Sequence, residues 1–231
     1  MNDNWPLIKI EESYINSDYK NSIKNVFNNL HKNKLPDWIL NLNGMSGRKY
    51  RQFINNLCET INNPRYLEIG CWKGSTLCSA MFDNNITAFA VDNWSEFNGP
   101  KQEFEANIQK CINESKSKIN FSFKEMNYTN IDYSNIGKYN IYFFDGPHKP
   151  EDQYNALKLA MPSLEDEFIF ICDDWNWDYV ETETLRSIKD LNLNLVYSID
   201  IKTNLEDVKK GFFCEKSDWH NGIFISVLKR N

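Results

Sequence analysis

Acidic side chains follow two apolar runs in the second half of the chain. Asp145 comes directly after the run Tyr139 to Phe144, and Asp173 and Asp174 come directly after Phe168 to Cys172. Because the carboxyl ends of parallel strands meet at one edge of a sheet, the three carboxylates would crowd one small volume. A hard divalent cation with oxygen ligands would offset their repulsion. These residues therefore predict a site for magnesium, calcium or manganese.

The same residues also have ordinary structural interpretations. Asp145 and Gly146 form a favourable turn sequence, and the Asp173-Asp174 pair could cap the helix that follows. His148 is a candidate base or substrate contact, with a plain loop histidine as the alternative. We favour the metal site because three carboxylates coincide at the rim of one predicted sheet.

A glycine turn follows an earlier apolar run. Gly70 and Gly74 flank Cys71-Trp72-Lys73 between a predicted strand and a predicted helix. Backbone N–H groups at such a turn can face the polar end of a ligand, although strand-to-helix turns also need glycine for structural reasons. The spacing departs from G-x-G-x-x-G, which disfavours a dinucleotide pyrophosphate.

The next apolar run, Ile86 to Val91, ends at Asp92-Asn93-Trp94. A carboxylate at this strand end can accept both hydroxyls of a ribose, and the Trp94 ring could cover an adenine. The alternative is that Asp92 caps the segment that follows it.

The stretch Tyr66 to Thr76, followed by Val91 to Trp94, resembles the first two motifs of class I S-adenosylmethionine-dependent methyltransferases. Within that class it is most similar to the macrocin-type sugar O-methyltransferases and the catechol-type metal-dependent enzymes, over roughly residues 40–231. The resemblance implies S-adenosylmethionine as cofactor, bound by Glu68, Gly70, Cys71, Gly74, Ser75, Asp92, Asn93, Trp94 and Asn127. It also implies a divalent metal on Asp145, Asp173 and Asp174.

The activity implied is O-methylation of a small molecule or a sugar. A substrate hydroxyl attacks the sulfonium methyl in line, the cation lowers the pKa of that hydroxyl, and Asp145 or His148 accepts the proton. Two alternatives stay open, namely a metal-independent N- or O-methyltransferase and a non-catalytic nucleotide-binding protein.

Three further segments are candidates for walls of the site. The loop Gly44 to Lys49 could close over the cofactor or simply connect two helices. The loop Lys202 to Asn221, with His220, could form a substrate wall. Trp175 and Trp177 could stack on a ring, although filling the edge of the core is the more common role.

These residues require a sheet that brings strand ends together. After Pro64, apolar runs alternate with amphipathic stretches, which indicates crossover units and a parallel sheet. The pattern predicts an α/β, Rossmann-like, seven-stranded, mostly parallel sheet with helices on both faces and an antiparallel last strand. The runs are Tyr66 to Ile69, Ile86 to Val91, Ile119 to Phe123, Tyr139 to Phe144, Phe168 to Cys172, Leu193 to Ile201 and Gly222 to Leu228. Residues 1–60, with helical periodicity from Tyr14 to Leu30 and from Tyr50 to Ile61, are predicted as a helical extension or lid, and residues 61–231 as the methyltransferase domain.

The composition argues against two classes of partner. The chain of 231 residues has 26 basic and 32 acidic side chains, a net charge of -6, so no broad basic field attracts nucleic acid or anionic lipid. It has no apolar run near the roughly 18 residues of a spanning helix, and residues 1–12 do not resemble a secretory signal. Six scattered cysteines without a CxxC pair are typical of reduced thiols. We therefore expect a soluble cytoplasmic protein that acts on a small-molecule or sugar acceptor, with self-association left open.

Overall fold

A computed structural model describes residues 6–203 and 218–231 of the protein. These residues form a sheet of eight strands that is flanked by seven helices. The strands are β1 (Leu7–Glu12), β2 (Arg65–Ile69), β3 (Ile86–Asp92), β4 (Ile119–Glu125), β5 (Tyr139–Phe144), β6 (Leu164–Asp173), β7 (Leu193–Lys202) and β8 (Ile223–Arg230). The helices are α1 (Asp18–Asn28), α2 (Asp37–Leu40), α3 (Arg48–Thr60), α4 (Ser75–Met81), α5 (Lys101–Glu114), α6 (Pro150–Ala160) and α7 (Asp178–Asp190).

The strand order across the sheet is β1-β7-β8-β6-β5-β2-β3-β4. The strands β4, β3, β2, β5 and β6 run parallel, β8 runs antiparallel to both β6 and β7, and β1 runs antiparallel to β7. This topology confirms the predicted Rossmann-like fold with a reversed last strand. The predicted count of seven strands is wrong, because β1 adds an eighth at the edge.

β1 lies inside residues 1–60, the segment predicted as a helical extension, so that prediction is wrong near its start. The register sets Leu7 opposite Lys202 and Glu12 opposite Tyr197. All six side chains of β1 are exposed. A strand without a buried face needs no alternation of apolar and polar residues, and its pairing is with the distant backbone of β7.

The rest of the extension contains helices, as predicted. Helix α1 begins after Ser17, whose side chain accepts a hydrogen bond from the Lys20 amide at 3.1 Å. Ile23 of α1 and Phe53 of α3 are fully buried in the same core cluster as residues of the sheet. These helices therefore share a core with the sheet, and residues 61–231 remain the proposed methyltransferase domain.

Both faces of the central strands are covered. Along β5, Ile141 and Phe143 pack in the cluster that includes α1, α3, α4 and α5, whereas Tyr142 and Phe144 pack in the cluster that includes α6 and α7. A strand buried on both faces has a continuous apolar sequence, and this explains the run Tyr139 to Phe144. No helix in the described ranges combines the length and apolar character needed to cross a bilayer.

The carboxyl edge of the sheet brings the predicted site residues together. β5 lies between β2 and β6, with Phe144 in register with Ile69 on one side and Cys172 on the other. Asp173, the last residue of β6, is opposite Ile223 at the start of the reversed strand β8. The glycine turn, the acidic residues and the segment before β8 therefore meet at one edge.

Candidate active site

A cavity of about 1000 Å³ opens at this carboxyl edge. Pockets for small molecules and cofactors range from about 300 to 1000 Å³, so this one has room for a cofactor and an acceptor together. The predicted site residues that line it are Gly70, Asp92, Asn93, Trp94, Asn127, Asp145, His148, Asp173 and Asp174. The predicted cofactor residues outside the lining are Glu68, Cys71, Gly74 and Ser75.

The glycine turn is fixed against the neighbouring strand end. Gly70 has a φ of +82°, and a Cβ at this position would lie 1.8 Å from the Asp145 carbonyl oxygen. Its N–H donates to the Val91 carbonyl at 2.9 Å, and the Asp145 N–H donates to the Ile69 carbonyl at 2.9 Å. Glycine is therefore required here by both backbone conformation and space.

Asp92 organises two loops through its carboxylate. Its Oδ2 accepts hydrogen bonds from the Cys71 and Trp72 amides at 2.7 and 2.8 Å, and its Oδ1 accepts one from the Trp94 amide at 2.7 Å. The alternative role in local capping is thus present, because the Trp94 bond closes a turn two residues on. The same carboxylate also holds the glycine turn in place and faces the cavity.

Glu68 lies beneath the glycine turn and is completely buried. Its two carboxyl oxygens accept hydrogen bonds from the Tyr66 hydroxyl at 2.7 Å and the Thr76 hydroxyl at 2.8 Å. Burial raises the pKa of Glu68 to about 8, although these two hydrogen bonds oppose the rise. Glu68 therefore ties β2 to the first turn of α4 from below the cavity.

The other predicted cofactor residues divide between structural and cavity positions. Gly74 has a φ of +80°, and a Cβ there would approach the Phe104 ring to 3.2 Å. The Ser75 hydroxyl lies 3.0 Å from that of Ser46, in the loop predicted to close over the cofactor. From that loop, Met45 lines the cavity.

The part of the cavity around Trp94 is built from short turns. The Trp94 ring is 8% exposed and packs against the Phe104 ring, with centroids 4.9 Å apart. The Asn93 side chain accepts from the Ser95 amide at 3.1 Å, and that of Asn127 accepts from the Thr129 amide at 3.0 Å. Each asparagine thus stabilises its own turn while facing the cavity.

The acidic residues and His148 converge, as the sheet order predicts. His148 Nε2 lies 3.5 Å from an oxygen of Asp145 and 3.5 Å from an oxygen of Asp174. The His148 side chain is 10% exposed and lines the cavity. Its ring packs edge-on against Trp177, with centroids 5.8 Å apart.

Gln153 determines which nitrogen of His148 carries the proton. The Gln153 amide nitrogen donates to the Thr184 hydroxyl at 2.7 Å, which leaves its carbonyl oxygen 3.2 Å from His148 Nδ1. Since that oxygen can only accept, the proton lies on Nδ1 in this amide orientation. Nε2 is then the nitrogen with a lone pair directed toward Asp145 and Asp174.

Burial and mutual repulsion control the carboxyl groups. The pKa of Asp145 lies well above its ordinary value because of desolvation and then the nearby charge of Asp174. The pKa of Asp173 is also raised strongly by desolvation, followed by the charges of Asp145 and Asp174. Both shifts favour the protonated forms of the Asp145 and Asp173 carboxyl groups.

Capping of the following helix, the structural interpretation of the Asp173-Asp174 pair, does not account for its contacts. Helix α7 begins at Asp178 after Trp177, and no side chain caps it. Instead, Asp173 accepts from the Tyr50 hydroxyl at 3.1 Å, and Asp174 accepts from the Asn221 amide at 2.7 Å. Within the described ranges no group of three or more His, Cys, Asp and Glu side chains is arranged to hold a metal ion, so the metal stays a prediction.

The remaining candidates have separate outcomes. Trp175 is 1% exposed and stacks on Phe224 at 4.2 Å between centroids, which agrees with the expected core role, whereas Trp177 lines the cavity. His220 also lines the cavity, and burial lowers its pKa. Most of the predicted substrate wall, residues 204–217, lies outside the described residues.

Sequence reasoning missed the residues that hold the acidic cluster from other elements. Tyr50 comes from α3 and Asn221 from the turn before β8. For Asn221 a signal existed, because it precedes the reversed strand whose start lies at the same edge. For Tyr50 only a helical periodicity was visible, and that pattern predicts burial without naming a partner.

Known proteins share this fold and part of this sequence. Residues 67–175 match a family model described as a methyltransferase domain. The chain is similar to the SAH-bound methyltransferase PaMTH1 of Podospora anserina, with a TM-score of 0.55 and 12% identity over 96% of this chain and 100% of that chain. It is similar to the O-methyltransferase from Bacillus cereus in complex with SAH, with a TM-score of 0.54 and 10% identity over 94% and 93% of the two chains.

A third similar structure is that of TrmN from Thermus thermophilus, with a TM-score of 0.54 and 10% identity over 84% of this chain. The match covers 52% of TrmN, so the chain spans about half the length of that protein. No curated protein sequence matches the chain. Identities this low show the fold alone, and the family match covers the glycine turn, Asp92 and the acidic residues. Residues 67–175 therefore match a methyltransferase domain, and they lie in a fold that the chain shares with SAH-bound methyltransferases.

Proposed function

We propose that the protein transfers a methyl group from S-adenosylmethionine to a hydroxyl of a small molecule or a sugar. One observation carries this proposal. The imidazole of His148, with Asp145 and Asp174 each 3.5 Å from its Nε2, lines the same cavity as the glycine turn and Asp92. Proton-accepting groups therefore lie beside a surface suited to a nucleoside cofactor.

The cofactor half of the cavity lies between the ends of β2 and β3. A carboxylate has about four lone-pair sites, and backbone amides occupy three of those on Asp92. We therefore expect Asp92 to accept one ribose hydroxyl rather than two. The side-chain-free surface of Gly70 lets the cofactor approach the backbone, with Trp94, Asn93 and Asn127 on the adenine side.

The acceptor half lies beyond the ends of β5 and β6. In the reaction, a bond forms between the acceptor oxygen and the methyl carbon while the bond from that carbon to sulfur breaks. The hydroxyl proton passes to His148 Nε2 or to Asp145, and the products are a methyl ether and S-adenosylhomocysteine. The two cavity halves adjoin at Gly70 and Asp145, where the methyl group would be transferred.

The proposal extends to a divalent cation bound by Asp145, Asp173 and Asp174. The donor set fits a hard cation in chemistry, because Asp145, Asp173 and Asp174 offer carboxylate oxygens whose charges repel one another. When bound there, such an ion would supply Lewis-acid polarisation of the acceptor hydroxyl. The raised pKa values of Asp145 and Asp173, and the lack of a ready-made ligand group among the described residues, favour a second candidate, a metal-independent N- or O-methyltransferase with His148 as base.

The experiment measures methyl transfer from labelled S-adenosylmethionine to a panel of sugars, catechols and amines. Each reaction is run with chelator and with added magnesium, calcium or manganese. Asp173→Asn should reduce turnover by about 100-fold or more if the acidic cluster acts on the acceptor. Asp178→Asn, an exposed change on α7, is the matched control and should leave turnover unchanged.

The outcomes separate the candidates. Loss of activity in chelator, with recovery on adding one cation, supports the metal-dependent O-methyltransferase. Activity that ignores chelator but requires Asp145 and His148 supports the metal-independent enzyme. Cofactor binding by calorimetry without transfer to any acceptor on the panel would count against the proposed O-methylation.

A further inference from the structure

The outer side of β1 is an open sheet edge in the described part of the chain, because β1 pairs there with β7 alone. The Ser13 N–H donates to the Val196 carbonyl at 2.9 Å, in the register that continues through β1. Because bonded and non-bonded residues alternate in antiparallel pairs, Leu7, Lys9 and Glu11 bond toward β7. The N–H and C=O groups of the intervening residues therefore point outward.

This edge is also apolar. Leu7, Ile8 and Ile10 are 52%, 45% and 51% exposed, and they are among the most exposed large apolar side chains of the described residues. Natural sheet edges are commonly protected by proline, bulges, covering elements or charged side chains, and of these the six residues of β1 include only the charged side chains Lys9, Glu11 and Glu12. Such an edge fits an added antiparallel strand.

The charges of β1 select a second copy of the same strand. In a two-fold pair centred on Ile10, outward-pointing backbone groups meet each other, and Lys9 of each copy lies opposite Glu11 of the other. Moving the centre to Lys9 places two lysines opposite each other, and moving it to Glu11 places two glutamates opposite each other. The register centred on Ile10 therefore replaces like-charge contacts by two opposite-charge pairs.

We propose that the chain forms a homodimer through antiparallel pairing of β1 with β1 of a second copy, centred on Ile10. The two sheets then continue as one across the two-fold axis. Ile10 of each copy packs against its symmetry mate, and the flanking Lys9–Glu11 pairs fix the register. The active-site edges stay outside this contact, because β1 lies at the far side of β7 and β8 from β5.

Charge reversal tests the register. Light scattering coupled to gel filtration should give a mass of about twice 27.3 kDa for the wild-type protein. Glu11→Lys and Lys9→Glu each replace two opposite-charge pairs by like-charge pairs, so each should raise the dissociation constant by about tenfold or more. An equimolar mixture of the two variants restores both opposite-charge pairs and should recover the dimer.

A backbone change provides an independent test. Ile10→Pro removes an outward N–H that β7 does not use, and it should give monomers. Amide exchange at Leu7, Lys9 and Glu11 in the same samples reports whether β1 is still paired with β7. The proposal would be overturned if the wild-type protein were a monomer at concentrations on the order of 100 micromolar. It would also be overturned if the dimer persisted in both charge-reversal variants and in Ile10→Pro while β1 stayed paired with β7.

Discussion

Replacing Asp92 by alanine tests the link between the glycine turn and the cofactor. The change removes three hydrogen bonds from backbone amides, at 2.7, 2.8 and 2.7 Å. Hydrogen bonds to charged groups contribute about 1.5 to 3 kcal/mol each, and access of water to this cavity rim reduces that to roughly 1 kcal/mol each. We therefore expect Asp92→Ala to lower the free energy of unfolding by about 3 kcal/mol.

The same change should weaken S-adenosylmethionine binding by about 10- to 100-fold, because it removes the proposed ribose acceptor and frees the Cys71, Trp72 and Trp94 amides. Urea unfolding followed by tryptophan fluorescence measures the first quantity, and titration calorimetry measures the second. Asp92→Asn keeps one oxygen acceptor and should lose about half as much stability. Wild-type stability in Asp92→Ala would refute the hydrogen-bond argument, and wild-type affinity in a folded variant would place the ribose elsewhere.

Three other substitutions probe the turn, the buried acid and the acidic cluster. Gly70→Ala places a Cβ 1.8 Å from the Asp145 carbonyl, so thermal melting should show a loss of about 3 kcal/mol or more. Glu68, whose pKa is raised from 4.5 to about 8, stabilises the fold fully below pH 4.5 and loses that contribution as the pH rises to about 8. Between pH 5 and pH 8, the free energy of unfolding of the wild type should therefore fall by roughly 4 kcal/mol relative to that of Glu68→Gln, as measured by urea unfolding. An equal pH dependence of the two proteins would contradict this. Tyr50→Phe removes the hydroxyl 3.1 Å from Asp173 and should lower kcat by about tenfold while unfolding changes by roughly 1 kcal/mol, whereas equal kcat values would exclude a positioning role.

The parts of the fold that the sequence predicted are those with local signals. β5 matches the predicted run at both ends because both of its faces are buried. β6 begins at Leu164, four residues before the predicted Phe168, because the three residues in between, Glu165, Asp166 and Glu167, are acidic and interrupt the apolar run. β1 could not be predicted, because an exposed strand is defined by its distant partner rather than by its own pattern.

The site shows the same division between local and distant signals. Strand-end residues such as Asp145 were predictable because sheet topology brings strand ends together. Two of the three partners of Asp92 lie 20 and 21 positions away, and the contact between Tyr50 and Asp173 spans 123 positions. No periodicity encodes such pairs, so the sequence could name the carboxylates without showing which hydrogen bonds hold them.

The pairing of β1 with β7 also constrains the order of folding. β1 is synthesised well before its partner, Leu193–Lys202, because β2 to β6 lie between them in the sequence. Closing so long a segment of chain has a high entropy cost until the intervening sheet has formed. During synthesis, β1 therefore has no strand to pair with until β7 has been made and the rest of the sheet is nearly complete. While β1 is unpaired, its apolar residues and backbone groups are available for aggregation and for chaperone binding.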